Sequence, residues 1–134
     1  VLGISGVGKL NAPPGTFVQV SAGHGFSCAV SLDETVSCWG DRAPLPPKGL
    51  FTQVSVGEFH LCAIAKDGSV ACAGSNNWGE CDAPKGAFVQ VTCGNQSSCG
   101  LRETGEVECW GKNNFGQCEP PEGVLFRQIS ASLT

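Results

Sequence analysis

The chain repeats itself, and that repeat constrains its fold more than any other feature. Phe17-Val-Gln-Val-Ser-Ala-Gly23 returns as Phe51-Thr-Gln-Val-Ser-Val-Gly57 and as Phe88-Val-Gln-Val-Thr-Cys-Gly94. Phe126-Arg-Gln-Ile-Ser-Ala-Ser132 opens a further copy. The leading phenylalanines are 34, 37 and 38 residues apart. A period of this size marks small supersecondary units that bury their apolar faces by stacking on one another.

Two more blocks follow each opening. The first reads Cys28-Ala-Val…Val-Ser-Cys38-Trp-Gly40, then Cys62-Ala-Ile…Val-Ala-Cys72-Ala-Gly74, then Cys99-Gly-Leu…Val-Glu-Cys109-Trp-Gly111. The second reads Asn76-Asn-Trp-Gly-Glu-Cys81 and Asn113-Asn-Phe-Gly-Gln-Cys118, and the first full repeat lacks it. Prolines mark the linkers: Pro13-Pro14, Pro46-Pro47, Pro84 and Pro120-Pro121.

The segments are short, β-branched and bounded by turn residues, so they read as strands. The middle block reads as a hairpin. Its cysteines sit ten residues apart in every repeat, centred in the second repeat on Asp67 within Lys66-Asp67-Gly68. A three-residue loop with glycine in the left-handed position suits that spacing. Gly68 and Gly105 take the place, whereas the first repeat has Glu34 there and should lose turn stability. The register then opposes Cys62 to Cys72 and Ile64 to Val70, with Val30 facing Val36 and Leu101 facing Val107. Opposed cysteines lie within disulfide reach, so Cys28–Cys38, Cys62–Cys72 and Cys99–Cys109 are expected bonds. The other face is mostly small: Ala29 with Ser37, Ala63 with Ala71, Gly100 with Glu108. That suits close approach of a neighbouring sheet.

Nine cysteines in 134 residues without any C-x-x-C pair favour disulfides over a zinc ribbon, and hence an oxidising compartment. The opening Val1–Gly6 has no charged or long apolar segment, so a signal peptide, if made, is expected to be gone already. Net charge is −4 and the eight basic residues are scattered, which argues against a nucleic-acid partner. No apolar run reaches the ~18 residues of a membrane span.

The run Phe-x-Gln-Val-Ser-Ala-Gly, Ser-Cys-Ala-Val, Val-x-Cys-Trp-Gly, Asn-Asn-x-Gly-Gln-Cys-x-Pro-Pro resembles the regulator-of-chromosome-condensation (RCC1-like) repeat, in its short cysteine-bearing variety. The resemblance covers nearly all of residues 8–132. It implies an all-β fold: a partial β-propeller of about three four-stranded blades plus partial ends. The expected division is 1–16 as the end of a preceding blade, blades at 17–50, 51–87 and 88–125, and 126–134 as the start of another. Three blades do not close a ring, so the chain is expected to be a fragment, or to complete a ring with further blades or another copy.

Cys81, Cys93 and Cys118 leave two pairings open. A blade-end cysteine joining the first strand of the next blade gives Cys81–Cys93, the favoured pairing, with Cys118 left over. Pairing within one blade gives Cys93–Cys118 instead.

No catalytic, cofactor or metal set stands out. Gly3-Ile-Ser-Gly-Val-Gly8-Lys9-Leu10 imitates a phosphate-binding loop but has Leu10 where a hydroxyl belongs, and prolines follow where a helix should start. His24 and His60 are out of register with each other and read as polar packing. Trp39 and Trp110 read as inter-blade packing, or as contacts with a partner, and the same choice applies to Trp78 and Phe115. Asn95-Gln96-Ser97 is a candidate glycosylation site. The expected function is non-enzymatic: an extracellular or lumenal scaffold that binds a protein through loops 23–27, 57–61 and 94–98. A nucleotide-exchange factor for a small GTPase, or a secreted enzyme inhibitor, are the alternatives.

Overall fold

The structure, a computed structural model, describes residues 15–131. Strands are the only regular elements among them. They are β1 (Phe17–Ala22), β2 (Phe26–Ser31), β3 (Val36–Gly40), β4 (Phe51–Val56), β5 (His60–Ala65), β6 (Val70–Gly74), β7 (Gln90–Cys93), β8 (Ser97–Leu101) and β9 (Val107–Gly111). They form three separate antiparallel sheets, ordered β1-β2-β3, β4-β5-β6 and β7-β8-β9. The imitation phosphate loop at Gly3–Leu10 lies outside the described residues, as does nearly all of the blade end expected at 1–16.

Each sheet has three strands, where four were expected. The segment after each third strand carries Pro44, Pro46 and Pro47, or Pro84, or Pro120 and Pro121. Proline has no N–H to give to a ladder. The Asn-Asn-aromatic-Gly-x-Cys block folds back on its own backbone instead of pairing with the sheet.

The hairpins adopt the register that the spacing predicts. Cys28 opposes Cys38, Cys62 opposes Cys72, and Cys99 opposes Cys109, with Val30–Val36, Ile64–Val70 and Leu101–Val107 alongside. Their turns close with Glu34, Gly68 and Gly105 at φ of 71°, 86° and 96°. Each of these residues also lends its carbonyl to the N–H of the next leading phenylalanine: Glu34 to Phe51, Gly68 to Phe88, Gly105 to Phe126. The hairpin turn of one blade therefore anchors the start of the next.

Blades stack face to face. Phe26, Cys28, Val30 and Val36 pack with Val54, Val56, Leu61 and Ala63 of the second blade. Cys62 and Ile64 pack with Phe88, Val91, Cys93 and Trp110 of the third. The stapled face of one blade thus meets the inner strand and small-residue face of its neighbour. A Cβ at Gly100 would run into the buried ring of Phe88, which would have to shift to admit it.

The repeated Gln and Ser join the seams. Gln19 exchanges two hydrogen bonds with the backbone of Val54, at 2.8 and 2.7 Å. Gln90 does the same with Ile129, at 2.9 and 3.1 Å, and Gln53 donates to the Val89 carbonyl at 3.1 Å. Ser21 accepts from the N–H of Val56 and Ser55 from that of Cys93, both at 3.0 Å. An inner strand has one edge unpaired within its own sheet, and buried backbone groups there need partners. The preceding blade supplies them.

Candidate functional site

The first two strands of each blade are joined by three residues: Gly23–Gly25, Gly57–Phe59 and Gly94–Gln96. Gly23, Gly57 and Gly94 stack on one another. A Cβ at Gly23 would collide with the Gly57 carbonyl, and one at Gly57 with that of Gly94. Glycine lets the backbones touch, so the three loops form one continuous row along a rim. His24 is exposed on this row, and Glu58, Phe59, Asn95 and Gln96 are half-buried.

The segments after each third strand reach the same rim, because Ser75 and Lys112 donate their N–H to the carbonyls of Phe59 and Gln96. There the Asn-Asn-aromatic-Gly-x-Cys block is a self-closed turn. Asn76 accepts from the N–H of Cys81 at 2.8 Å and donates to Asp82, while Glu80 accepts from the N–H of Trp78. Asn113, Cys118, Glu119, Gln117 and Phe115 repeat the pattern. The motif spends its polar side chains on its own backbone and turns its aromatic outward. Trp78 is 46% exposed and Phe115 88%. Lys112 lies over Trp78 at 4.9 Å and Arg42 over Phe59 at 5.5 Å. This row of aromatics and cations is the candidate interaction surface.

Trp110, by contrast, is buried and donates from Nε1 to the Glu80 carbonyl of the second blade, so it joins two blades. Trp39 stacks at 6.2 Å on Phe17 of its own blade.

Cys28–Cys38, Cys62–Cys72 and Cys99–Cys109 are disulfides. Cys81, Cys93 and Cys118 are free thiols, so neither pairing written for them is formed and Cys81–Cys93 is corrected. The cause is direction. Cys81 Sγ turns to the Ser75 carbonyl at 3.2 Å, and Cys118 Sγ to that of Lys112 at 3.3 Å. Cys93 Sγ points inward to Ser98. Burial pushes the Cys93 thiol up to about 12. Burial, with Glu80 and Asp82 nearby, pushes Cys81 to about 11.

A buried polar node between the second and third blades was missed in the sequence. His60, Glu80 and Ser98 are all fully buried. Ser98 Oγ donates to the Glu80 carbonyl at 2.9 Å, so His60 Nε2 donates to Ser98 at 2.8 Å. His60 Nδ1 and Glu80 Oε2 have no partner. Burial holds the His60 pKa below its ordinary value, partly countered by the Glu80 charge. The donor atoms of His60, Cys62 and Cys93 lie within 4.8 Å of one another. With Cys62 in its disulfide, one of the three is not available as a thiolate. The only hint in the sequence was that His60 and Cys93 break the repeat, standing where Phe26 and Val56 occur.

An all-β arc of stacked, stapled sheets with loops on a shared rim defines a β-propeller segment. The regulator of chromosome condensation (RCC1) repeat pattern matches residues 17–41, 51–80 and 88–117, and the chain belongs to that family. No curated protein sequence matches it. Among solved structures it is similar to the CRINKLY WD40 ectodomain of the Arabidopsis thaliana receptor kinase ACR4, at 30% identity and TM-score 0.72, over 87% of this chain and 42% of that one. It is similar to the entire ectodomain of the Physcomitrella patens receptor kinase CR4, at 28% identity and TM-score 0.76, over 90% and 37%. Prp20p from Saccharomyces cerevisiae shares the fold at 16% identity and TM-score 0.60, over 72% and 33%. The chain spans well under half the length of these structures.

Proposed function

We propose that this chain is a protein-interaction scaffold: an arc of an RCC1-like propeller, extracellular or lumenal, that binds a protein partner through its rim. One observation carries the reading. The glycine stack sets three loops side by side, and the neighbouring turns display Trp78 and Phe115 to solvent. Rim loops on a rigid scaffold are where recognition usually resides, and exposed aromatics flanked by cations suit a protein surface. Three disulfides call for an oxidising compartment, and two of the similar structures are receptor ectodomains. Asn95, half-buried on a rim loop, is the glycosylation candidate of the Asn-Gln-Ser triplet. If it is used, N-glycanase lowers the mass of the secreted chain, and Asn95→Gln shows the lower mass without treatment. No feature of the rim favours nucleotide exchange on a GTPase over plain binding.

The proposal extends to the open end of the arc. Val20 is 59% exposed, whereas its repeat equivalents Val54 and Val91 are 2% and 6% exposed beneath the preceding blade. Its edge fits a further blade carrying Gln-x-Ser, from a longer chain or another copy.

The test is affinity capture from the extracellular fraction, comparing wild type with Trp78→Ala/Phe115→Ala and with Lys66→Ala on the opposite rim. A partner identified by mass spectrometry should be lost from the first variant and kept by the second. Equal capture by all three rules out the rim.

A further inference from the structure

The two seams of the arc are built differently, and the difference follows the Asn-Asn-aromatic-Gly-x-Cys turn. The second blade has that turn, at residues 76–81, and the hairpin of the next blade brings Ser98 and Trp110 to it. Ser98 Oγ and Trp110 Nε1 both donate to the Glu80 carbonyl of the turn, each at 2.9 Å. Ser98 also meets His60 Nε2 at 2.8 Å and Cys62 Sγ at 3.7 Å. The first blade lacks the turn, and the hairpin of its next blade has Leu61 and Ala73 at those two places. There Ala73 and Ala43 pack on the same apolar cluster.

The third blade has the turn again, at residues 113–118, and Gln117 holds the place of Glu80. Beyond it Phe126 and Ile129 already sit where an inner strand begins. Phe126 gives its N–H to Gly105, and Ile129 is held by both amide atoms of Gln90. β9 is the last strand among the described residues, so no hairpin stands beside them. A cleft of about 410 Å3 opens in its place, with Ser97, Cys99 and Gln117 in its lining. These are the repeat equivalents of His60, Cys62 and Glu80, the three residues that Ser98 touches one blade earlier. Glu80 is fully buried under that hairpin, whereas Gln117 is exposed.

We propose that this cleft is a socket for the β-hairpin of a following RCC1-type repeat, selective for serine on its first strand and tryptophan on its second. The hairpin adds to residues 128–131 by strand pairing, as β8 adds to β7. Its hydroxyl and its indole N–H meet the Gln117 carbonyl, as Ser98 and Trp110 meet that of Glu80. A carbonyl enclosed by a docking hairpin needs donors, and serine and tryptophan supply two. Leucine and alanine supply none and leave it bare, so a hairpin of the second blade's kind is rejected. The turn of one blade thus reads the hairpin of the next. The socket lies at the end of the arc and does not depend on partner binding at the rim.

The chain's own hairpins are the probes, as synthetic peptides of residues 25–41, 59–75 and 96–112, each closed by its own disulfide. The first and third carry Ser27 with Trp39 and Ser98 with Trp110, and the second carries Leu61 with Ala73. Titrated into the full chain in a calorimeter, the first and third should bind at one site per chain, and the second about tenfold more weakly or worse, the loss of buried hydrogen bonds. Trp110→Ala in the third peptide should weaken its binding by about the same factor. Ala131→Trp in the chain puts a large side chain into the cleft at an exposed position, and should abolish binding while the far-ultraviolet spectrum stays unchanged. Equal binding by all three peptides overturns the selectivity, and no binding by any overturns the socket. Binding that Ala131→Trp leaves intact lies elsewhere and overturns it as well. So does a dimer of the chain that the third peptide fails to dissociate, since a second copy then fills the socket.

Discussion

Gln19 and Val54 exchange a pair of hydrogen bonds across the first seam: Nε2 donates to the Val54 carbonyl at 2.8 Å, and Oε1 accepts from its N–H at 2.7 Å. Val54 is buried, so removing the amide strands both backbone groups away from water. Net hydrogen bonds are worth about 1 kcal/mol, and a buried group left bare costs about 1–3 kcal/mol. Gln19→Ala should therefore destabilise the chain by about 2–3 kcal/mol. Gln53→Ala removes one longer bond at an exposed place and should cost about 1 kcal/mol or less. Urea midpoints of the two variants give the comparison, and equal midpoints would remove the amide pair as the device that joins the seams.

His60 makes stability depend on pH in a defined window. Burial depresses its pKa in the folded chain, while the unfolded chain keeps the ordinary value of 6.5. The unfolded state then binds more protons as pH falls below that value, so stability is complete above it. It declines as pH drops from 6.5 toward the folded pKa, and this contribution is flat below. Glu80 faces the ring and limits the loss. Melting temperatures from pH 7.5 down to about 5 should fall for wild type and much less for His60→Phe. Asp33 and Asp67 do not confuse the window, because their carboxyls are held below the ordinary 3.8 by Thr35 and Ser69. A parallel decline in both proteins would mean that His60 is not the titrating group.

The free thiols should separate by burial. Native protein treated with a maleimide at neutral pH should leave Cys93 unlabelled, since it is enclosed and its thiol is raised to about 12. Cys81 and Cys118 are half-exposed with raised thiols and should react slowly. Unfolding in denaturant without reductant should then give label on all three and on no other cysteine. Label on a single cysteine would revive one of the two pairings set aside above.

The hairpins were legible in the sequence because their information is local. Cysteines ten residues apart, centred on a turn, define the register, and Ile64 opposite Val70 follows by counting. The seams were not legible in the same way. Gln19 reaches Val54 and His60 reaches Ser98 across 35 and 38 residues. The repeat marks Gln and Ser as meaningful, but counting does not say which backbone they satisfy. The fourth strand failed for another local reason: the resemblance implied it, yet prolines occupy the segment. Cys81–Cys93 failed because Cys81 Sγ turns to the Ser75 carbonyl and Cys93 Sγ lies beside Ser98, partners that counting along the repeat does not reveal. The rim was half legible. The variable loops were singled out, but their contact through stacked glycines needed the fold.

Glu34 offers the last prediction, because it holds a conformation that its repeat partners assign to glycine. Its φ is 71°, beside 86° at Gly68 and 96° at Gly105. A left-handed backbone costs a non-glycine residue about 1–2 kcal/mol. Glycine returns about 0.5–1 kcal/mol of that in lost chain freedom. Replacing Glu34 also removes its ion pair with Lys66 at 3.1 Å, but the lysine side chain is 72% exposed, and such pairs contribute about 0–1 kcal/mol. The backbone role is untouched, since the carbonyl of residue 34 still accepts from Phe51 at 2.7 Å. Glu34→Gly should therefore stabilise the chain by about 0.5 kcal/mol, and more clearly at high salt, where the ion pair is already screened. The opposite exchange, Gly68→Ala, should destabilise it, because it adds the same strain and drives a Cβ into Ala87. Urea unfolding at low and high salt reads both. A loss of stability in Glu34→Gly at high salt would show that the glutamate earns its place by something other than charge.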